Sequence, residues 1–133
     1  MPIERDSGGA RGAGWWLRVA CFLLAALTVA GLFGFGATPA AVGLFKPPLD
    51  KLAHVAYHAA LAGLLNAGWR GERPLTAILL ASCVAAADEI FQSFLPGRHA
   101  ELADLAAGML GALIGAFAAR WLIGAWRRRC AHA

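Results

Sequence analysis

Asp88-Glu89-Ile90-Phe91-Gln92-Ser93-Phe94-Leu95-Pro96-Gly97-Arg98, followed shortly by Asp104, is the stretch on which the reading of this chain turns. It places two adjacent carboxylates and a Gln inside an apolar run, with an Arg and a third carboxylate just beyond the break at Pro96-Gly97. The runs on either side are long enough to cross a bilayer. Ionisable groups inside membrane spans are costly, and they are usually paired or functional.

The composition supports a membrane setting. Of 133 residues, 59% are hydrophobic and only 15% charged, and the mean hydropathy is +0.60, outside the soluble range. The net charge of +4 does not indicate a nucleic-acid partner, because the arginines sit at the ends of apolar runs and in the tail Arg127-Arg128-Arg129, where membrane topology explains them. Cys21 and Cys83 lie in apolar runs and Cys130 in the basic tail. Their odd number and spacing support neither a disulfide framework nor a zinc site.

Outward from the central stretch, the chain divides into four apolar spans. Residues 1–14 are polar and Gly-rich and read as a disordered cytoplasmic tail. The first span covers residues 15–35, about 20 residues and so about 30 Å of helix, the thickness of the hydrocarbon layer. Arg11 and Arg18 before this run, and the small residues Ala37-Thr38-Pro39-Ala40 after it, also suit a secretory signal. The run exceeds the roughly 7 to 15 residues of a signal core, which favours a retained anchor. Pro39, Pro47 and Pro48 make residues 36–49 a connection. The second span takes residues 51–69, the third 75–95 with Pro74 in its first turn, and the fourth 102–126, before a basic tail at 127–133. The expected fold is therefore all-α, an antiparallel bundle of four transmembrane helices. Gly108, Gly111 and Gly115 on the fourth span, and Ala59 and Gly63 on the second, offer small-residue packing surfaces.

Orientation follows from the 12 Lys and Arg. Nine of them (Arg5, Arg11, Arg18, Arg70, Arg73, Arg120 and Arg127 to Arg129) fall on one side, and Lys46, Lys51 and Arg98 on the other. The positive-inside rule then places both termini in the cytoplasm of a bacterial inner-membrane protein. Trp15, Trp16, Trp69, Trp121 and Trp126 fall near span ends, as interfacial anchors do.

With that topology the polar residues gather in the outer half of the membrane. Asp50, His54 and His58 recur every four residues as one stripe, and Glu89 and Gln92 share a face one turn apart. Asp88 lies about 100° around the helix from Glu89, so both reach one cavity only if it is broad or if Asp88 turns to a neighbouring helix. The motifs Asp50-Lys51-Leu52-Ala53-His54 with Tyr57, then Asp88-Glu89 with Gln92 and Pro96-Gly97-Arg98, then Ala103-Asp104-Leu105-Ala106-Ala107 with Gly111 and Gly115, resemble the VanZ-like family of small bacterial membrane proteins. The resemblance covers roughly residues 45 to 118 and carries the family signature onto Asp50, Lys51, His54, Glu89, Gln92, Arg98 and Asp104. It departs at Gly108, where family members commonly have Asn. The namesake is associated with resistance to the glycopeptide teicoplanin, which implies an envelope-related role.

Three readings of the cluster stand side by side. In one, the polar groups are inter-helix glue, although polar pairs in membranes contribute only about 0.6 to 2 kcal/mol each. In the second, Asp50, Lys51, Asp88, Gln92 and Arg98 bind a lipid-linked or cell-wall precursor with an anionic head, and His54, Glu89 and Asp104 are the catalytic candidates, with His54 and Glu89 as acid and base. In the third, His54 and His58 with Glu89 or Asp104 form a small metal or proton-relay site. No complete metal motif, phosphate loop or nucleophile elbow is present, so neither a metal nor a cofactor is expected and enzymatic activity stays open. Membrane lipids are the expected partners, and homo-oligomerisation is left open. His99 and His132 read as solvated residues. Arg98 either clamps Asp104 or, with Asp104 turned to His54, is free to hold an anion, Lys51 supplying a second cation at similar depth.

Overall fold

The computed structural model describes residues 8–45 and 48–131, with side chains from Gly14 onward. The chain is all-helical, with four helices: α1 (Gly8–Gly36), α2 (Leu49–Gly68), α3 (Pro74–Gln92) and α4 (Leu102–Ala131), and one 3-10 turn at Pro39–Ala41. Three of them, α1, α3 and α4, are long and apolar enough to cross a membrane. The remaining helix, α2, carries Asp50, Lys51, His54, His58 and Asn66, and it touches all three others, most extensively α4.

Helix ends differ from the sequence boundaries for local reasons. α1 starts at Gly8, inside the stretch read as a disordered tail; Ala10 and Ala13 are good helix formers, and propagation from an established helix adds one hydrogen bond per residue. The rest of that tail, residues 1–7, together with Lys46 and His132, lies outside the described residues. α3 ends at Gln92, before the expected residue 95, because the chain tightens into successive turns: Phe94 N–H donates to Phe91 O at 3.1 Å and Leu95 N–H to Gln92 O at 3.0 Å. α4 continues through Arg127, Arg128 and Arg129 to Ala131, into the region where the sequence alone suggests a separate basic tail. Arginines propagate helix well and complement its negative C-terminal end.

The turn after α2 is closed by Asn66. Arg70 and Gly71 adopt left-handed backbone at φ 60° and 79°, and Gly71 N–H returns to Asn66 O at 2.7 Å. The Asn66 side chain, fully buried, accepts from Arg73 N–H at 3.1 Å and donates to Ala116 O of α4 at 2.8 Å. One amide thus ties the end of α2, the start of α3 and the middle of α4.

The interior is built of small residues. Ala25, Leu61, Ala62, Ala77, Ala81, Ala112 and Ala116 form the buried cluster, while Leu23, Leu27, Leu75, Leu79, Ile90, Leu110, Ile114 and Trp121 are exposed. That distribution suits helices surrounded by lipid, where close backbone approach replaces burial of large side chains. The approach is closest between α2 and α4. A methyl group added at Gly115 would collide with the Ala59 carbonyl, and one at Gly111 with the Val55 carbonyl. Gly108, where the family pattern has Asn, faces Ala85 and the His58 ring, and an added Cβ would lie 3.0 Å from Ala85 Cβ and 3.1 Å from His58 Nδ1. A larger residue would displace that ring.

The packing makes a contrast between glycines testable. Gly115→Ala is expected to destabilise the folded chain in detergent by about 1–3 kcal/mol or more, the range for overpacking. Gly31→Ala, which meets nothing within 4 Å, should leave the thermal midpoint unchanged or raise it through helix propensity. Equal midpoints for the two variants would refute the close α2–α4 contact.

Candidate functional site

Helix pairing by glycine brings the first turns of α2 and α4 together with the last turn of α3. At the outermost level, Lys51 Nζ lies 2.9 Å from Asp104 Oδ1, 3.2 Å from Glu101 Oε2 and 3.4 Å from Asp50 Oδ2. The Lys51 N–H donates to Asp50 Oδ1 at 2.8 Å. Asp104 is therefore the partner of Lys51, and neither His54 nor Arg98 takes it as the sequence reading supposed. The reason is register: α2 and α4 run side by side so closely that their first turns meet directly. Lys51 correspondingly has a use. Its ammonium is shared by three carboxylates, which leaves it little capacity to hold a further anion.

One turn deeper, the two His of the α2 stripe are oriented alike. His54 Nδ1 lies 2.9 Å from Asp50 O and His58 Nδ1 2.9 Å from His54 O, and the rings are near-parallel with centroids 6.2 Å apart. His58 is completely buried and its Nε2 has no hydrogen-bond partner. His54 Nε2 faces α3, 3.6 Å from Glu89 Oε1 and 3.8 Å from Asp88 Oδ2.

Both α3 carboxylates thus reach His54, despite their angular separation along the helix. Gln92 Nε2 donates to Asp88 Oδ2 at 2.8 Å, a pairing four residues apart, so Gln92 supports Asp88 where the sequence grouped it with Glu89. Glu89 instead accepts the Glu101 backbone N–H on Oε2 at 2.8 Å. That donor, just before α4, would otherwise go unpaired. Arg98 donates from Nη2 to Ala41 O at 2.8 Å, tying the α3–α4 connection to the 3-10 turn, and it makes no ion pair among the described residues.

These groups border a cavity of about 670 Å³. Its polar side is made by Asp50, His54, His58, Asp88, Gln92 and Arg98, together with Glu101 and Asp104. Its apolar side comes from α1 and the segment after it, through Leu27, Leu32, Phe35, Leu44 and Phe45. Neither Lys51 nor Glu89 is part of the lining. His99, read as solvated, is exposed and also lies at the cavity.

Some contributors carried only a weak sequence signal. Tyr57 donates its hydroxyl to the Thr28 carbonyl of α1, and that contact fixes the apolar wall against α2. Glu101 serves both the Lys51 group and Glu89. A Tyr within the signature spacing was the only hint of the first, and a second acid in the α4 initial turn the only hint of the second.

No curated protein and no solved structure matches the chain. A family model described as VanZ/LLP1 matches residues 15–123, which takes in α2 and α3, most of α1 and α4, and every residue of the site described above. On that match, and with three helices apolar enough to span a bilayer, the chain belongs to the VanZ/LLP1 family and is a VanZ-like membrane protein.

Proposed function

We propose that the protein binds an amphiphilic, lipid-linked cell-envelope molecule in the cavity between α1, α2 and the α3–α4 connection. The observation that carries this reading is the two-sided lining: an apolar wall suited to an acyl or prenyl chain faces a polar floor suited to a head group. Arg98 is the cation available to an anionic head, since among the described residues its guanidinium hydrogen-bonds to one carbonyl alone and a guanidinium offers five donors. His54, which lines the cavity, is the acid–base candidate toward a bound head group, and Glu89, 3.6 Å from its Nε2, would act on the head group only through that ring. Asp104 and Asp50 hold Lys51 and act as positioning residues. The glycopeptide-resistance role of the family's namesake fits a ligand of this kind.

The same reading places the chain as a four-span antiparallel bundle in a bacterial inner membrane, with the cavity in the outer half and both termini cytoplasmic. Support comes from the charge split and from contacts at one end of the molecule, where Arg18 Nε donates to Gly68 O at 3.1 Å and Arg127 Nη2 to Arg70 O at 2.8 Å. Arg18, Arg70 and Arg127 therefore share an end, opposite Lys51 and Arg98. The glue reading keeps a specific share of the cluster. The Lys51 group and Asn66 join helices directly, whereas His54, Asp88 and Glu89 approach one another without hydrogen-bonding.

Reporter fusions check the orientation. Alkaline phosphatase should be inactive after Arg73 and active after Arg98, with the reverse pattern for a fluorescent protein; active phosphatase after Arg73 would invert the topology. Ligand binding is checked by native mass spectrometry of the detergent-solubilised chain with a polyprenyl phosphate and with the neutral polyprenol. Loss of charged hydrogen bonds in Arg98→Gln should weaken retention of the phosphate about tenfold or more while the neutral lipid is unaffected. Equal retention of the phosphate by Arg98→Gln and the natural chain would refute the role of Arg98.

A further inference from the structure

We infer that His54, Asp88 and Glu89 form a binding site for one divalent transition-metal ion beside the cavity floor. A carbonyl oxygen only accepts hydrogen bonds, so the 2.9 Å contact with Asp50 O places the hydrogen of His54 on Nδ1. Nε2 of the neutral ring then presents its lone pair to Glu89 Oε1 at 3.6 Å and Asp88 Oδ2 at 3.8 Å. Both separations exceed hydrogen-bonding reach. Three electron-pair donors thus converge, each within 4.8 Å of the others, and their mutual repulsion is relieved by a cation among them. With metal–ligand bonds of about 2.0–2.2 Å, the edges of a tetrahedral site are roughly 3.3–3.6 Å, so the two His54 edges close with a shift of a few tenths of an ångström.

A second observation points the same way. The Glu89 side chain is only 9% exposed, its Oε2 is taken by Glu101 N–H, and its Oε1, the oxygen aimed at His54, has no hydrogen-bond partner. Buried polar atoms are rarely left so. Each proposed ligand also has an outer contact: His54 through Nδ1 to Asp50 O, Glu89 through Oε2 to the Glu101 amide, and Asp88 from Gln92 Nε2, which shares Oδ2 and leaves that oxygen a second lone pair. Such outer contacts are what orient metal ligands.

The neighbouring cluster supplies the contrast. Asp50, Glu101 and Asp104 also bring three oxygens within 4.8 Å, but the Lys51 ammonium sits among them and already serves as their cation. Around Asp88 and Glu89, His54 is the only basic group within 4.0 Å among the described residues. An imidazole nitrogen with two carboxylates favours zinc, manganese, iron or cobalt over calcium or magnesium. Where the amphiphile reading holds, the ion adds positive charge to a cavity bordered by several carboxylates, and an anionic head group can then use the open coordination position. The metal site itself rests on the three side chains and not on that reading.

The test uses the full chain, free of affinity tags and carrying Cys130→Ser, because the exposed Cys130 thiol would itself take zinc. The chelator-stripped protein in detergent is titrated with Zn²⁺ alone, then with Zn²⁺ against millimolar Mg²⁺, and separately with Co²⁺, whose visible absorption reports the ligand set. One Zn²⁺ per chain, undisturbed by Mg²⁺, is expected, together with a raised thermal midpoint. Asp88→Asn and Glu89→Gln should each weaken Zn²⁺ binding at least about tenfold, while Glu72→Gln, beside Arg127 at the other end of the molecule, stays within about twofold of the parent. Folded parent protein that retains no Zn²⁺ overturns the inference, as does unchanged affinity in both Asp88→Asn and Glu89→Gln. The parent titration does not depend on any variant folding. Polyprenyl phosphate retention is measured in the same samples: Zn²⁺ bound without lipid removes the amphiphile reading alone, and lipid bound without Zn²⁺ removes the metal site alone.

Discussion

Everything at the polar end of this molecule depends on how closely α4 lies against α2. Gly111 and Gly115 let the α4 backbone rest on the Val55 and Ala59 carbonyls, where any side chain would collide. In lipid, apolar burial gives little drive between helices, so tight backbone contact and a few hydrogen bonds must supply it. The consequence is a fixed register. With Gly111 and Gly115 seated, Asp104 arrives at Lys51, Gly108 at the His58 ring, and Ala116 O at the Asn66 amide. The Gly108 departure from the family pattern belongs to the same constraint, since the His58 ring occupies the space that a longer side chain would need.

Much of this was legible in the sequence, for identifiable reasons. Long apolar runs interrupted by Pro and Arg gave the four helices, and for the three apolar enough to cross a membrane a bilayer leaves few alternatives to helix. The spacing of Asp50, His54 and His58 gave their common face, because helical periodicity is rigid. Partner choice was not legible. Whether Asp104 meets His54, Arg98 or Lys51 depends on helix register to within one turn, and glycine positions alone do not specify which carbonyls they touch. Gln92 illustrates the same limit within a single helix, since residues three and four positions back are both within its reach and only the surrounding packing selects Asp88. The exact helix ends were also invisible, because turns such as the one closing α3 at Gln92 depend on local hydrogen bonds.

Helix polarity explains why the acidic groups divide into a settled set and an unsettled one. Asp50 and Asp104 lie in the first turns of α2 and α4, where the positive helix end favours carboxylates, and Lys51 neutralises them further. Asp88 and Glu89 stand near the C-terminal end of α3, where the helix field opposes negative charge. Both are also buried. Gln92 and the Glu101 amide offset part of that cost, but a hydrogen bond from a neutral donor brings no net positive charge, and His54 approaches with a nitrogen whose hydrogen points the other way. Arrangements that break local electrostatic preference in an otherwise consistent structure are where function is expected to lie. The unfavourable placement of Asp88 and Glu89 at the end of α3, rather than the number of charges in the cluster, therefore sets these two carboxylates apart from Asp50 and Asp104, whose charge the helix ends and Lys51 already balance.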